Sequence, residues 1–378
     1  MCQWQVLPEI PELAIEKEGI SLKAKRIFLA GVVLMLLILL SGCGRQQVQR
    51  HEMLMDTVAT LSAEGPQARE AVDEGMERLR ELDAMASPAG VDSDLQKLAE
   101  SAGSGQWVPL HAEVYHMLEV SQEYSRRTDG AWDVTTGPLV ALWGIGTEHA
   151  HVPSAEEIAQ ARARVGWQKL ELQPETQSAR LTESGMSLDL GGIAKGMALD
   201  EVRKIYDKHG IRNGLINLGA SSLFALGNND KGASWRIGIR HPRSSDPDTM
   251  LAVIPLSGQA LSTSGDYERF FERDGIRYHH ILDPRTGAPS RSGAMSDTIV
   301  VDGSLPDAGM LSDLLTTAVF VLGPEQGQDF LRRLPPEIHG MICSQDQILW
   351  PAHGLNDIIQ QVHPDFTWHI QTKPAGVP

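Results

Sequence analysis

Along the chain the spacing of apolar positions changes several times, and each change predicts an element. "MLMDTVATLSA" (53–63) alternates with period two, as a half-buried strand does. Directly after it Ala68, Ala71, Val72, Met76, Leu79 and Leu82 recur at helical spacing, which predicts an amphipathic helix. "VDSDLQKLAESAG" (91–103) and "PLHAEVYHMLEVSQEYSRRTDG" (109–130) predict more helix, the latter stopped by Asp129-Gly130. Ser154 and Glu157 have capping-box spacing, with Gly166 as the stop of the helix they open. Farther on the pattern alternates between types. "SLDL" (187–190) reads as a strand and "MALDEVRKIYDKHG" (197–210) as a helix closed by Gly210. "GLINLG", "SWRIGIRHP", "MLAVIPL", "IRYHHILDP" and "SDTIVVDG" read as strands, and "DAGMLSDLLTTAVFVLG" (307–323) as a nearly all-apolar helix. No repeat or linker divides this stretch, so the fold class is α+β: one compact unit of mixed sheet and flanking helices over 51–365, followed by a tail, 366–378.

The first 42 residues differ. Lys23, Lys25 and Arg26 precede an unbroken apolar run of 14 residues, Ile27 to Leu40, which ends in Leu40-Ser41-Gly42-Cys43. Such a run fits a signal-peptide core and is shorter than the roughly 17 to 25 residues of a spanning helix. The ending resembles a bacterial lipobox, with Cys43 as the lipid-bearing residue and 43–50 as a polar tether; an uncleaved signal anchor is the alternative. Both place the bulk of the protein outside the cytoplasmic membrane and attached to it. The 22 residues before the basic cluster fit a true translation start near Leu22. The only other cysteines are Cys2 and Cys343, too few for a disulfide framework.

The net charge of −16 argues against nucleic acid as a partner, because phosphate binding calls for a basic surface. Within the helix 308–322, Asp313 and Thr317 interrupt the apolar surface at i and i+4, on one face. A carboxylate there costs several kcal/mol unless it is paired. One reading is an Asp bonded to neighbouring backbone; the other is a hard cation, for which carboxylate and hydroxyl suit magnesium. "LDLGGIAKGMALDEV" (188–202) is a strand-to-helix turn with Asp189 and Lys195 on either side, a layout that can face an anion with backbone N–H groups or merely allow close packing. The loop "TDGAWDVTTGPLVALWGIG" (128–146) can wrap a flat ligand or pack on the core. In "YHHILDP" strand alternation sets His280 on one face with Tyr278 and Leu282, and His279 on the other, so the pair does not readily ligate one metal.

Taken in order, "MDT" (55–57), "GAWDVTTGPLVALWGIG" (130–146), "DLGGIAKG" (189–196), "STSGDYERFFERDGIRYHHILDPRTGAP" (262–289) and "SDLLTTAVFVLG" (312–323) resemble the ApbE family of flavin transferases, the FAD:protein FMN transferases. The resemblance implies transfer of FMN from FAD to a Ser or Thr hydroxyl of an acceptor protein, with magnesium required and AMP released. It places Asp313 and Thr317 on metal-binding positions, joined by a main-chain carbonyl at Gly192, with Ala194 as the second choice. It sets Met55, Ala131, Trp132, Asp133, Asp189, Lys195 and Leu282 along the FAD site, and makes His280, or Asp283 oriented by it, the candidate for proton transfer. The implied acceptor is a membrane electron-transfer subunit. Three departures touch FAD contacts: Leu218-Gly219-Ala220 where the family has LGG, no aromatic in "MASPAGVDS" (85–93), and Ala99 in place of a frequent Asn. An FAD-hydrolysing enzyme and a flavin-binding lipoprotein without turnover are the rival readings.

Overall fold

A computed structural model describes residues 47–369 apart from 88, 89, 91 and 220. The segment 1–42, Cys43, Ala220 and the end of the tail lie outside the described residues.

The centre is a nine-stranded sheet. Its strands are β1 (Gln47–Leu54), β2 (Thr57–Glu64), β3 (Asn213–Leu218), β4 (Ser222–Leu226), β5 (Gln259–Gly265), β6 (Ala294–Asp302), β7 (Ile338–Ser344), β8 (Ile348–Ala352) and β9 (Thr367–Trp368). They lie side by side in chain order, antiparallel throughout except for the parallel β8–β9 pair. Everything else is inserted between neighbours, and the insertions carry the chemistry.

The sheet is covered on both sides. Alternate residues of the central strands β4 to β7 enter two cores: Phe224, Ala260, Ile299, Val301 and Ile342 one, Leu223, Ala225, Leu261, Val300 and Met341 the other. That double burial explains why "SDTIVVDG" reads as a continuous run. Against the first face pack α1 (Ala68–Ala86), α2 (Ala194–Lys208) and α3 (Ala308–Leu322). The strands Trp235–Arg240 and Met250–Leu256, with Gln361–Val362, cover the other.

α3 is seated on β5 by hydroxyls. Ser262 Oγ meets Ser312 Oγ at 2.9 Å, and Ser264 donates to Thr316 Oγ1 at 2.9 Å. Four helical residues rise about 6 Å and two strand residues about 6.6 Å, so an i,i+4 pair on the helix matches an i,i+2 pair on the strand. With that stripe on the sheet, Asp313 and Thr317, one position on, turn toward α2.

Several elements depart from the sequence pattern. The stretch 53–63 is not one strand: it crosses a hairpin whose two-residue turn, Met55-Asp56, has φ of 54° and 57°, the geometry that matches strand twist. β1 begins inside the segment read as a tether, and the folded unit runs past 365 to β9. "SLDL" makes no ladder, because Asp189 N–H bonds the Val134 carbonyl of a loop. α2 starts at Ala194, three residues earlier than its pattern, and the capped helix Ala155–Arg162 ends before Gly166. "IRYHHILDP" breaks after His279, where its four-residue hairpin partner Phe270–Arg273 ends.

Candidate active site

α2 and α3 cross where Gly196 faces Gly309. A β-carbon on Gly196 would stand 2.4 Å from the Gly309 carbonyl oxygen, and one on Gly309 would stand 2.5 Å from the Gly196 carbonyl oxygen, so only glycine admits this approach. At the crossing the helices exchange caps. Asp313 of α3 accepts the Gly196 N–H at 3.0 Å, in the first turn of α2. Asp200 of α2 accepts the N–H groups of Gly309 and Met310, at 2.8 and 2.9 Å, in the first turn of α3. Neither helix has a side-chain cap from its own N-cap residue, so each carboxylate satisfies donors that would otherwise be orphaned. Burial pushes the Asp200 carboxyl up to about 6, against those two hydrogen bonds.

The second oxygen of Asp313 accepts from Ser222 Oγ at 3.0 Å, and Lys195 Nζ stands 3.9 Å from it. The buried Asp is therefore bonded to backbone, as one reading of the sequence has it, yet it also borders an oxygen-lined cradle. A β-carbon on Gly192 would lie 2.8 Å from Thr317 Oγ1, and 3.0 Å from the ring of Trp132, which closes that side. Because Gly196 N–H goes to Asp313, it does not claim the Gly192 carbonyl, the acceptor four residues back. Carboxylate, hydroxyl and free carbonyl, all oxygen and half enclosed, fit a hard divalent cation.

The turn that leads to α2 presents fewer backbone donors than its layout predicts. Gly191 N–H bonds Asp189 Oδ1 at 2.7 Å, while the N–H groups of Ile193 and Ala194 share the Leu190 carbonyl. Lys195 Nζ bonds the Gly191 carbonyl at 2.9 Å, leaving donors for an anion. In the neighbouring loop Ala131 and Trp132 are buried, and the Trp132 indole N–H has no partner among the described residues. Asp133 binds the loop itself: Thr135 N–H and Oγ1 at 2.7 Å each, and Trp167 N–H at 2.8 Å. Burial holds its carboxyl above the ordinary range. Met55 packs from the β1–β2 turn onto the main core.

The two histidines make different contacts, but the strand ends at His279, so its alternation does not extend to His280. His279 is buried, donates from Nε2 to the Ser290 carbonyl at 3.0 Å and meets Phe320 edge-on. His280 is half-buried; its N–H and its Nδ1 both address the Arg269 carbonyl, at 3.0 and 3.3 Å. Nδ1 thus carries the proton and Nε2 the lone pair. Protein encloses the ring closely enough that burial, helped by the Arg269 guanidinium and with Lys195 among the contributing charges, pushes its pKa down to about 3. The ring is neutral near pH 7. Leu282 packs with Leu139, Trp143 and Ala161, and the Tyr278 ring stacks on Trp143 at 5.7 Å. Asp283 does not bond His280: Arg285 clamps its two oxygens at 2.9 and 3.0 Å, locking the Asp-Pro turn.

Sequence reasoning missed Ser222 and Arg269. Ser222 sits at a strand end just past Leu218-Gly219-Ala220, with nothing in its own spacing to single it out, and Arg269 acts through its carbonyl, which sequence does not distinguish. A second group of possible ligands, His241, His363 and Asp365, lies apart from the cradle. His241 Nδ1 accepts N–H groups of Arg243 and Ser244, both at 3.1 Å, so its Nε2 holds the proton and offers no lone pair to a metal.

The fold and site together define a protein class: a largely antiparallel sheet with a two-helix crossing that sets an oxygen cradle beside a lysine. The chain belongs to the ApbE family, whose model matches residues 55–342. Among curated relatives, the FAD:protein FMN transferase of Treponema pallidum is 31% identical over 357 residues, 89% of this chain and 96% of that one. The Vibrio cholerae protein of the same name is 33% identical over 304 residues, covering 78% and 88%. Among solved structures, the ApbE protein of Thermotoga maritima superposes with a TM-score of 0.74 at 28% identity, covering 84% of this chain and all of the other. The flavin transferase ApbE of Vibrio cholerae gives 0.74 at 26%, covering 83% and all of its chain.

Proposed function

We propose that the protein transfers FMN from FAD to a Ser or Thr hydroxyl of an acceptor protein, with magnesium required and AMP released. The observation that carries this is the convergence of Asp313, Thr317 and the Gly192 main chain on one cradle, with Lys195 beside it. Capping α2 accounts for the Asp313 carboxylate alone, whereas simple flavin binding gives no reason to gather Thr317 and the Gly192 main chain beside it. Asp313, Thr317 and the Gly192 carbonyl would hold the cation, which when bound supplies charge neutralisation on the diphosphate.

The chain's own groups do the rest. Lys195, oriented by the Gly191 carbonyl, sets a positive charge against the diphosphate as the anhydride P–O bond breaks and negative charge collects on the departing AMP oxygen. The acceptor hydroxyl forms the new P–O bond and must lose its proton. His280, neutral and with Nε2 free, takes it; the Arg269 carbonyl fixes the tautomer that makes this possible. Trp132, over Gly192, shields the cradle from water on one side. Cys43, as the lipidated residue after a cleaved signal peptide, would keep the enzyme on the outer side of the cytoplasmic membrane, where a membrane electron-transfer subunit suits the role of acceptor.

Incubation with FAD, magnesium and extract of the same cell envelope tests the proposal. The expected product is a protein whose Ser or Thr gains the mass of FMN, with AMP in equal amount. FMN and AMP without modified protein would make the enzyme a hydrolase. A thermal shift with FAD that EDTA leaves unchanged, without AMP, would make it a binding protein.

A further inference from the structure

The strand Ile276–His279 ends at the first histidine of the pair. His279 forms part of the wall of a cavity of about 320 Å³ whose lining includes Arg243, Asp266, Arg277, Arg291 and Gln345. Three arginines stand there against one aspartate, in a chain whose net charge is −16. A local excess of positive charge on so acidic a protein selects its ligand by sign.

The arginines are held with unequal firmness. Asp266, 4% exposed, grips Arg243 through two 2.7 Å bonds, which fixes that guanidinium and cancels one of the three positive charges. Arg277 is shared between Asp266 at 3.7 Å and Glu272 at 3.2 Å. Arg291 has no carboxylate within salt-bridge reach among the described residues; its guanidinium lies 5.4 Å from the Tyr278 ring centroid. Planar guanidinium groups around a small cavity match an oxyanion.

We propose that this cavity receives an acidic side chain of the acceptor protein, close to the hydroxyl that is modified. The proposal rests on the transfer reading above. Its volume is at the lower end of small-ligand pockets, roomy for one side chain and small for a dinucleotide. None of the cradle residues Asp313, Thr317, Gly192 or Lys195 lines it, so the FAD diphosphate has its partners elsewhere. His279 and His280 are adjacent, about 3.8 Å apart at Cα, so an acceptor that brings a hydroxyl to His280 lies over the strand that walls the cavity. Phe270, 39% exposed beneath the Arg277 guanidinium, adds an apolar shoulder to the same hairpin.

Arg291 is the group to change, since no ion pair of the fold depends on it. With the acceptor identified by FMN labelling and purified, Arg291→Glu raises its KM about tenfold or more, the range of a lost charge-assisted hydrogen bond, and Arg291→Lys recovers most of the loss. The KM for FAD and the EDTA-sensitive thermal shift with FAD stay at wild-type values in both. Inorganic phosphate inhibits transfer competitively with the acceptor, and Arg291→Glu removes that inhibition. An acceptor KM that Arg291→Glu leaves unmoved overturns the proposal, as does a parallel rise in the KM for FAD, which would give the cavity to FAD. A thermal shift with phosphate that Arg291→Glu abolishes, with acceptor kinetics unchanged, would make it a site for a free anion instead. Absence of any modified protein would fall on the transfer reading, and the phosphate shift would then report on the cavity alone.

Discussion

Gly192→Ala is the smallest change that separates the proposed cation cradle from mere packing. Gly192 is outside the left-handed region, so alanine brings no backbone strain. The added methyl stands 2.8 Å from Thr317 Oγ1 and 3.0 Å from the Trp132 ring. Ordinary contact begins near 3.4 Å, so one neighbour must retreat by about 0.6 Å. Trp132 is 4% exposed in a close-packed interior and yields little, which leaves the hydroxyl of Thr317 to move or change rotamer, at a cost of about 1 kcal/mol. Loss of glycine's freedom in the unfolded chain returns about 0.4 to 1 kcal/mol, so net stability hardly changes.

The cation tolerates far less. Ligand distances hold to about ±0.2 Å, one third of the displacement, so the hydroxyl ceases to be a ligand. Even indirect damage to metal sites weakens affinity about 10–100-fold, and loss of a direct ligand falls at least in that range. The assay is the thermal shift with FAD, titrated with magnesium, beside a urea melt. The magnesium midpoint of Gly192→Ala should move up about 10–100-fold while the urea midpoint stays. Thr317→Val should do the same, and Gly210→Ala, in open space at φ 68°, should leave magnesium dependence alone. A magnesium midpoint unmoved in Gly192→Ala refutes the cradle; a urea midpoint that collapses makes Gly192 a packing glycine only.

Further outcomes follow from other buried groups. Asp297, on β6, is fully buried with neither oxygen in a well-formed hydrogen bond among the described residues; burial raises its pKa well above the ordinary 3.8, against a smaller opposing effect of the Ser264 and Asp297 N–H groups. Such a group costs about 1–3 kcal/mol, so Asp297→Val should stabilise by about that amount in urea. Because the folded pKa is raised, wild-type stability falls as pH climbs from about 4 toward that value, and the advantage of Asp297→Val widens with pH; a gap that narrows contradicts the burial argument. For His280, whose folded pKa lies near 3, transfer should show no ascending limb between pH 6 and 8 attributable to it, and His280→Ala should lower kcat about 10²–10⁴-fold. An ascending limb near pH 6.5 that vanishes in His280→Ala would show that the ring titrates at its ordinary value. Asp283→Asn should cost about 1 kcal/mol from a clamp whose Arg285 end is exposed and leave kcat within about threefold. A loss of about 10²-fold in kcat would give Asp283 the proton.

What sequence could reveal depended on whether one residue or two chain segments carried the information. Asp313 and Thr317 stood out because each is polar on an apolar helix, and a 3.6-residue period alone puts them on one face. The period of a strand set His279 and His280 apart in the sequence, and their contacts do differ, although the strand stops at His279 and the alternation with it. The cap exchange between α2 and α3 joins residues more than a hundred positions apart, and nothing in "GGIAKGMALD" marks Asp200 as a cap for another helix. The hairpin within "MLMDTVATLSA" stayed hidden because Met55, an unusual residue for a left-handed turn, kept the alternation looking unbroken. The arginine cavity collects residues from five separate segments, and no sequence period joins them.

The cap exchange also bears on why the cradle is built where it is. A carboxylate needed for a cation is costly when the site is empty, since an isolated buried charge is far less stable than a paired one. Here Asp313 holds Gly196 N–H and Ser222 Oγ, with Lys195 at 3.9 Å, so the empty site is already satisfied and the helix crossing depends on it. Removing the carboxylate therefore removes two things. Asp313→Ala should abolish magnesium-dependent FAD binding and also destabilise the fold by about 2–4 kcal/mol, since two charge-assisted hydrogen bonds are lost and the Gly196 N–H is left buried. Asp313→Asn keeps the acceptor for Gly196 through its amide oxygen but gives up the charge. It should recover most of the stability in urea and none of the magnesium response. If the two variants were equally unstable, the charge itself, and not the cap, would be what holds α2 against α3.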